Sequence, residues 1–135
     1  MDPVERSLTP SFGVMVGRAL LRRCPVCGSG RLFTRWTRMA PVCPRCGLRF
    51  ERTEGHWLGY LGLNTIVSFS LLFVVLVVGF VLSYPDFDVV PLLVAAVVVA
   101  VVFPVVFLPW SRTLWTAVDL RMRPLEPGEA PGIGT

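Results

Sequence analysis

The chain has 135 residues, of which 53% are hydrophobic, and its 13 basic side chains, all arginines, outnumber nine aspartates and glutamates. This length allows one small domain, or a small module joined to membrane spans. Two uncharged runs, 57–84 and 89–111, are each long enough to cross a bilayer, which takes about 20 apolar residues. Because too little chain remains to cover both runs, the composition argues against a soluble fold.

Residues 1–23 are predicted to form an N-terminal tail and a short amphipathic helix. The acidic side chains among the first ten residues argue against a secretory signal. In the helix, Arg18, Arg22 and Arg23 are placed to reach lipid phosphates from beside an apolar face. A helix simply packed on the following module is an equally open interpretation. The apolar face consists of Phe12, Val16, Ala19 and Leu20.

Residues 24–56 contain all four cysteines of the chain, in the spacing C-x2-C-x15-C-x2-C that is typical of zinc ribbons. Both pairs belong to the same short motif, C-P-x-C-G. Gly28 and Gly47 can adopt positive φ there, so that backbone N–H groups point at the sulfurs. The candidate metal ligands are Cys24, Cys27, Cys43 and Cys46.

Four thiolates in a tetrahedral arrangement suit zinc or iron. Since four protein ligands leave no open coordination position, a zinc ion here is predicted to be structural rather than catalytic. Three alternatives stay open: a rubredoxin-like mononuclear iron, a dithiol–disulfide pair, and a site without metal. Against thiol exchange, no βαβ pattern surrounds either pair.

The segment around the second pair is predicted to form a small β module. Leu32–Phe33 and Trp36–Met39 are candidate strands of a hairpin, and Leu48–Arg52 alternates as a third strand would. A module of about 40 residues generally needs its metal to fold. Its arginines suit nucleic acid or the anionic cytoplasmic leaflet, and the adjacent leaflet is the simpler partner. They are Arg31, Arg35, Arg38, Arg45, Arg49 and Arg52.

His56 lies directly before the first apolar run, close in sequence to Glu51 and Glu54. A histidine and two carboxylates at a membrane surface can bind a second metal ion or relay protons. The alternative is an ordinary solvated junction between the module and the helix.

The apolar runs predict one transmembrane helix over 57–84 and another over 89–109, joined by a short external turn over 85–88. So short a turn cannot return the chain across a bilayer, so the helices form an antiparallel hairpin. Ten arginines precede the first span, none lies in the turn and three follow the second span. The positive-inside rule therefore predicts that both termini are cytoplasmic.

Polar side chains in the first span are predicted to bind a neighbouring helix or their own backbone. No charged residue lies in either span, which argues against a transporter. Pro104 is expected to kink the second helix. An interfacial helix is predicted over 110–123, where Asp119 can pair with a nearby or module arginine, and a disordered tail over 124–135. The polar residues of the first span are Asn64, Thr65, Ser68 and Ser70.

The order of these motifs resembles the DUF983 family of small bacterial membrane proteins over approximately residues 18–124. The resemblance is carried by "CPVCGSGRLF", "CPRCGLRF", two apolar helices with a short turn, and the exit "WSRTLWTAVD". It implies that the family's metal-ligand pattern falls on the four cysteines. Some members are encoded beside cytochrome oxidase components, which implies a role in assembling a respiratory complex. One departure is the stretch "ERTEGHW", where members often carry a longer acidic or histidine-containing run.

Taken together, the sequence predicts an α-helical membrane protein with a two-helix antiparallel hairpin and an N-terminal zinc-ribbon-like β module. The expected location is the bacterial inner membrane, and the expected role is a non-catalytic binding or assembly module. Expected partners are the bilayer and either another membrane protein or a second copy; no small-molecule substrate is indicated. The competing hypothesis is a membrane-anchored redox protein that uses a rubredoxin-like iron or CxxC dithiols.

Overall fold

The computed structural model describes residues 9–132, in which the chain forms three α-helices. Helix α1 spans Phe12–Leu20, α2 spans His56–Leu82 and α3 spans Val89–Met122. The four-cysteine module lies between α1 and α2. A short turn joins α2 to α3, and the Asp88 side chain caps α3 by accepting a hydrogen bond from the backbone N–H of Val90 at 3.3 Å.

Helices α2 and α3 pack side by side in antiparallel directions. At one end Gly59 lies against the indole of Trp115, and at the other Gly79 lies against Leu92. Both helices are long and apolar enough to cross a membrane, and only 6% and 0% of their most apolar windows are buried. The prediction of two antiparallel helices that are long and apolar enough to span a membrane is therefore confirmed.

Helix α3 is longer than predicted. The span over 89–109 and the separate interfacial helix over 110–123 form one continuous helix that passes through Pro104 and Pro109. Its 34 residues extend for about 51 Å, against a hydrocarbon core of about 30 Å. Burial of its last turns in the protein core holds the helix together beyond Pro109, so the proline signal did not mark a boundary.

The hydrophobic core lies at one end of the hairpin, around the cysteines. It joins α1, the module, the last turns of α3 and the chain after α3 into one packed unit. Thr113 of α3 donates a hydrogen bond to the carbonyl of Ala19 at 2.9 Å. Of the two interpretations of α1, a helix at the lipid surface or a helix packed on the module, the structure therefore supports the packed helix. The buried apolar residues are Met15, Ala19, Cys24, Val26, Leu32, Cys43, Cys46, Leu48, Phe50, Ala117, Leu120 and Leu125.

The predicted strands of the module are wrong. In the described part of the chain, Leu32–Phe33, Trp36–Met39 and Leu48–Arg52 contribute only isolated bridges, Phe33 to Met39 and Val42 to Arg49. Packing of the buried cysteines and leucines, rather than a β ladder, holds these loops together.

The predicted disordered tail also differs from the structure. Leu125 is only 1% exposed, and the N–H of Gly132 donates to the carbonyl of Cys46 at 3.0 Å. Its Pro/Gly composition suggested disorder, but a buried leucine and an ion pair through Glu129 hold residues 124–132 on the module. Residues 133–135 of that prediction lie outside the described residues.

Candidate metal centre

The first cysteine pair forms a tight knuckle. The backbone N–H of Cys24 donates to the carbonyl of Ser29 at 2.9 Å, and that of Gly28 donates to the carbonyl of Cys24 at 2.9 Å. Gly28 has φ 76°, a conformation that a residue with a side chain adopts only with strain. The glycine after the second cysteine is therefore required by the turn.

The second pair repeats this geometry. Cys43 donates from its N–H to the carbonyl of Leu48 at 2.9 Å, and Gly47 donates to the carbonyl of Cys43 at 3.0 Å. Gly47 has the same φ of 76°. The repeated C-P-x-C-G motif thus produces two matching knuckles, as the sequence predicted.

The two knuckles bring the four predicted ligands together. All four Sγ atoms lie within 4.8 Å of one another, with Cys24 and Cys46 3.8 Å apart and Cys27 and Cys43 3.6 Å apart. Sulfurs at tetrahedral positions about 2.3 Å from an ion are about 3.8 Å apart, whereas a disulfide is about 2.05 Å long. The four cysteines are therefore positioned to bind a metal ion, and this donor set suits zinc and iron alike.

Hydrogen bonding between Cys24 and Cys46 shifts the pKa values of their thiols in opposite directions. The bond with the Cys24 thiol lowers the pKa of Cys46 to about 5. The same bond, and then burial, raises the pKa of Cys24 far above its usual value, while the backbone N–H groups of Cys27 and Val26 oppose that rise. Burial raises the pKa of Cys43. Because metal ions bind thiolates, a metal ion bound at this cluster would release the protons that these thiols hold.

The cluster is closed to solvent on most sides. Cys24, Cys43 and Cys46 are at most 2% exposed. Arg18 crosses the first knuckle and donates to the carbonyl of Val26 at 2.6 Å. Arg18 therefore braces the module, although the sequence placed it at lipid phosphates. A metal ion held there by four cysteine sulfurs would have no open coordination position for water, and would therefore stabilise structure rather than activate water.

Arg22 also has a different role from the one predicted. Its guanidinium lies over the rings of Phe33, Trp36 and Trp110, with 4.5, 4.6 and 5.4 Å to the ring centroids. Such cation–π contacts stabilise packed structure. Because Trp110 belongs to α3, Arg22 joins the module to the hairpin.

The module is further fixed by Arg52, whose side chain is 7% exposed. It binds both carboxylate oxygens of Glu129, at 3.1 and 2.7 Å, and one oxygen of Asp119 at 3.2 Å. It also donates to the carbonyl of Arg123 at 2.6 Å. The expectation that Asp119 pairs with a module arginine is thus met. The ion pair between Arg52 and Glu129 was not predicted, because a Pro/Gly-rich stretch gives no sign of an ion pair with a residue 77 positions away.

His56 is buried rather than solvated, with 7% exposure. It lines a cavity of about 120 Å³ together with Glu51 and with Tyr60, Arg112 and other residues. His56, Glu51 and Glu54 do not form a group of metal ligands; among residues 9–132 only the cysteines form such a group. The junction is therefore solvated at Glu51 and Glu54, as the second interpretation predicted, but not at His56. The clustering required for a second metal site is not found among the described residues.

The polar residues of the first span divide between the two predicted roles. Asn64 donates from Nδ2 to the carbonyl of Pro104 at 3.0 Å, which ties α2 to α3. Ser68 donates to the side-chain oxygen of Asn64 at 3.4 Å. Thr65 and Ser70 instead donate to carbonyls of their own helix, each at 2.8 Å.

Comparison with known proteins is consistent with this architecture. The model of the family described as "Protein of unknown function (DUF983)" matches residues 33–119. The matched region contains the second cysteine pair and the predicted membrane spans, but begins after the first pair, so it is shorter than the resemblance over 18–124. No curated protein and no solved structure is significantly similar to the chain. Because the family model matches more than half of the residues of this chain, the chain belongs to the DUF983 family.

Proposed function

We propose that this protein is a bacterial plasma-membrane protein whose cytoplasmic module holds one structural zinc ion and serves as a binding or assembly module for a membrane complex. The observation that carries the proposal is the enclosed four-sulfur cluster packed directly on the extension of α3. A metal-stabilised module fixed to a membrane helix presents a rigid surface at a defined distance from the bilayer.

Zinc is favoured because the small module needs a stabilising ion, and because four cysteine ligands leave no open coordination position for a substrate or water. Four protein sulfurs complete a tetrahedral shell, and zinc has no redox activity of its own. A cytoplasmic location, supported by the ten arginines before the first span, keeps the thiols reduced and available.

The exterior of the module supports a docking role. Five of its six arginines are exposed, whereas Arg52 is used internally. The outward faces of α2 and α3 are apolar along the predicted spans, which suits lipid and helices of a partner or of a second copy. The resemblance adds a respiratory complex as the kind of assembly. The exposed arginines are Arg31, Arg35, Arg38, Arg45 and Arg49.

The metal part of the proposal is tested by elemental analysis of protein purified anaerobically in mild detergent. We expect one zinc per chain and no absorbance in the visible region. A coloured, reducible iron site would contradict the structural-zinc proposal and favour the redox hypothesis.

The assembly part is tested by the size and composition of the complex extracted from membranes. We expect a stoichiometric complex that is lost when Arg31, Arg35 and Arg38 are changed together to glutamate, with zinc content unchanged. Those side chains are exposed, so the variant should keep the module folded. A wild-type chain that migrates alone as a monomer would contradict the role.

A further inference from the structure

We propose that the cavity between the module and the two long helices, here called the His56 pocket, binds a phosphate group. This goes beyond the zinc and assembly proposals and depends on neither. The pocket has a volume of about 120 Å³, which is well above the space that one water molecule needs. It is lined by Met39, Ala40, Pro41, Phe50, Glu51, His56, Tyr60, Arg112 and Thr116.

The polar lining comes from two helix faces that converge on the pocket. His56 and Tyr60 are four residues apart on α2, and Arg112 and Thr116 are four apart on α3. The guanidinium of Arg112 lies 4.8 Å from the ring centroid of Tyr60 and donates to its hydroxyl at 3.5 Å. The two helices thus hold a charge and a hydroxyl in one place.

Two buried nitrogens of this lining lack a partner. Within the described residues, neither Nδ1 of His56 nor Nε of Arg112 makes a hydrogen bond. His56 is more than nine-tenths buried, and a buried polar atom without a hydrogen-bond partner is energetically costly. Because an arginine Nε–H can only donate and a histidine nitrogen can also donate, the missing group must supply acceptor atoms.

The local charge favours an anion. Among residues 9–132, no carboxylate lies within 4.0 Å of the Arg112 guanidinium, in contrast to Arg52 with its two carboxylates. His56 is also the first residue of α2, and no side chain caps that helix N-terminus. The N-terminal end of a helix adds a partial positive charge. Asp119 and Glu51 oppose an anion, but Asp119 is paired with Arg52, and Glu51 is exposed and therefore screened by solvent.

A phosphate group fits these requirements better than a carboxylate. It offers several acceptor oxygens to donors that converge from different directions, and arginine binds it well. The pocket lies where the uncharged run of α2 begins, which is the level of lipid headgroups in a spanning hairpin. The phosphate can therefore belong to an anionic lipid or to free inorganic phosphate.

The chain has a single histidine, which makes the pocket directly observable. We would label histidine with ¹³C and ¹⁵N and follow the imidazole signals of His56 by NMR. The protein would be kept in a phosphate-free maltoside detergent at constant pH and ionic strength. Inorganic phosphate and short-chain phosphatidic acid would be titrated separately, into the wild type and into Arg112→Gln and Arg121→Gln.

We expect saturable shifts of the His56 signals in the wild type and in the control Arg121→Gln, which removes an exposed charge from the same helix. Arg112→Gln should weaken the apparent affinity at least about tenfold, because a charge-assisted hydrogen bond is lost. Shifts with phosphatidic acid alone would assign a lipid headgroup, and shifts with both ligands would assign the phosphate group itself.

No saturable shift with either ligand would overturn the proposal. Equal weakening by Arg112→Gln and Arg121→Gln would also overturn it, because it would show attraction to net charge only. Should Arg112→Gln lose its helical circular dichroism or its metal, Tyr60→Phe replaces it. This variant removes only the hydroxyl and should weaken binding several-fold; unchanged affinity there would overturn the proposal too.

Discussion

The two ends of α3 belong to one continuous helix but lie in opposite surroundings. From Val89 to Val106 the helix has no buried residue, and Val101, for example, is 63% exposed. Near its C-terminus Ser111, Thr113 and Ala117 are completely buried. Apolar side chains are therefore exposed at the N-terminal end of α3, and small polar side chains are buried at its C-terminal end. This is the reverse of the pattern in a helix of a soluble protein. A bilayer around the first end explains this reversal, because lipid surrounds apolar side chains there. The core of the described residues then lies at the module end.

The largest effect is expected from removing one of the sulfurs, which tests whether the module end depends on a metal. Cys46→Ser should abolish stoichiometric metal binding and expose the module to proteases, because so small a core cannot fold by burial alone. The α2–α3 hairpin should keep its circular dichroism, since its contacts do not involve the sulfurs. Metal content and limited proteolysis measure the two ends separately.

Thr34→Ala is the control for this variant, because Thr34 is exposed in the same module and its side chain makes one long hydrogen bond, at 3.3 Å, to the carbonyl of Arg38. It should change neither metal content nor cleavage. If Cys46→Ser resisted protease as well as Thr34→Ala did, the module would not depend on its metal.

The next largest effect concerns the buried ion pairs that fix the module to α3. Arg52→Met leaves Asp119 buried without a counter-charge, and breaking a buried pair in this way costs about 3–5 kcal/mol. We expect a free energy of unfolding of the module lower by about 3 kcal/mol, followed by the fluorescence of Trp36 and Trp110 in denaturant. Arg49→Met, which removes an exposed charge nearby, should change it by less than about 0.5 kcal/mol. Equal effects of the two variants would disprove the role of Arg52.

A smaller effect is expected where α2 approaches α3. A β-carbon at Gly59 would overlap the indole of Trp115, whereas one at Gly62 would meet nothing within 4 Å. Gly59→Ala should therefore destabilise the hairpin by about 1–3 kcal/mol, and Gly62→Ala should be neutral or slightly stabilising. Thermal unfolding in detergent, followed by circular dichroism, distinguishes them. Equal melting temperatures of Gly59→Ala and Gly62→Ala would contradict the close contact between Gly59 and Trp115.

The smallest effect is expected for the hydrogen bond between the spans. Asn64→Leu removes the bond to the Pro104 carbonyl, and such bonds contribute about 0.6 kcal/mol on average in membranes. Thr65→Val removes a bond within α2 only and should leave the association of the helices unchanged. A cysteine cross-linking assay between α2 and α3 compares the two variants, and a larger loss for Thr65→Val would contradict the assignment.

The sequence predicted best those features that depend on local pattern. Hydropathy located the two helices that are long and apolar enough to span a membrane, because lipid requires long apolar runs. Cysteine spacing predicted that the four sulfurs converge, because tetrahedral metal binding restricts the geometry of each pair. The glycine after each pair was predicted for the same reason, since the knuckle needs positive φ at Gly28 and Gly47.

The sequence failed where contacts are distant along the chain. Arg22 looked like a charge for lipid phosphates, but aromatic rings of the module and of α3 surround it. The ion pair of Arg52 with Glu129, from the C-terminal stretch, was likewise not predicted. The same packing keeps α3 helical past Pro109 and holds Leu125 in the core. Local composition does not indicate such distant contacts. The predicted helix end at Pro109 and the predicted disordered tail were therefore wrong, because both segments are buried in the core.

The central claim, a structural four-sulfur zinc site at the module end, is tested most directly by X-ray absorption at the zinc edge of the anaerobically purified protein. We expect the zinc ion to have four sulfur neighbours at about 2.3 Å and no nitrogen or oxygen ligand. A first shell containing nitrogen or oxygen, or a preparation without zinc, would contradict it.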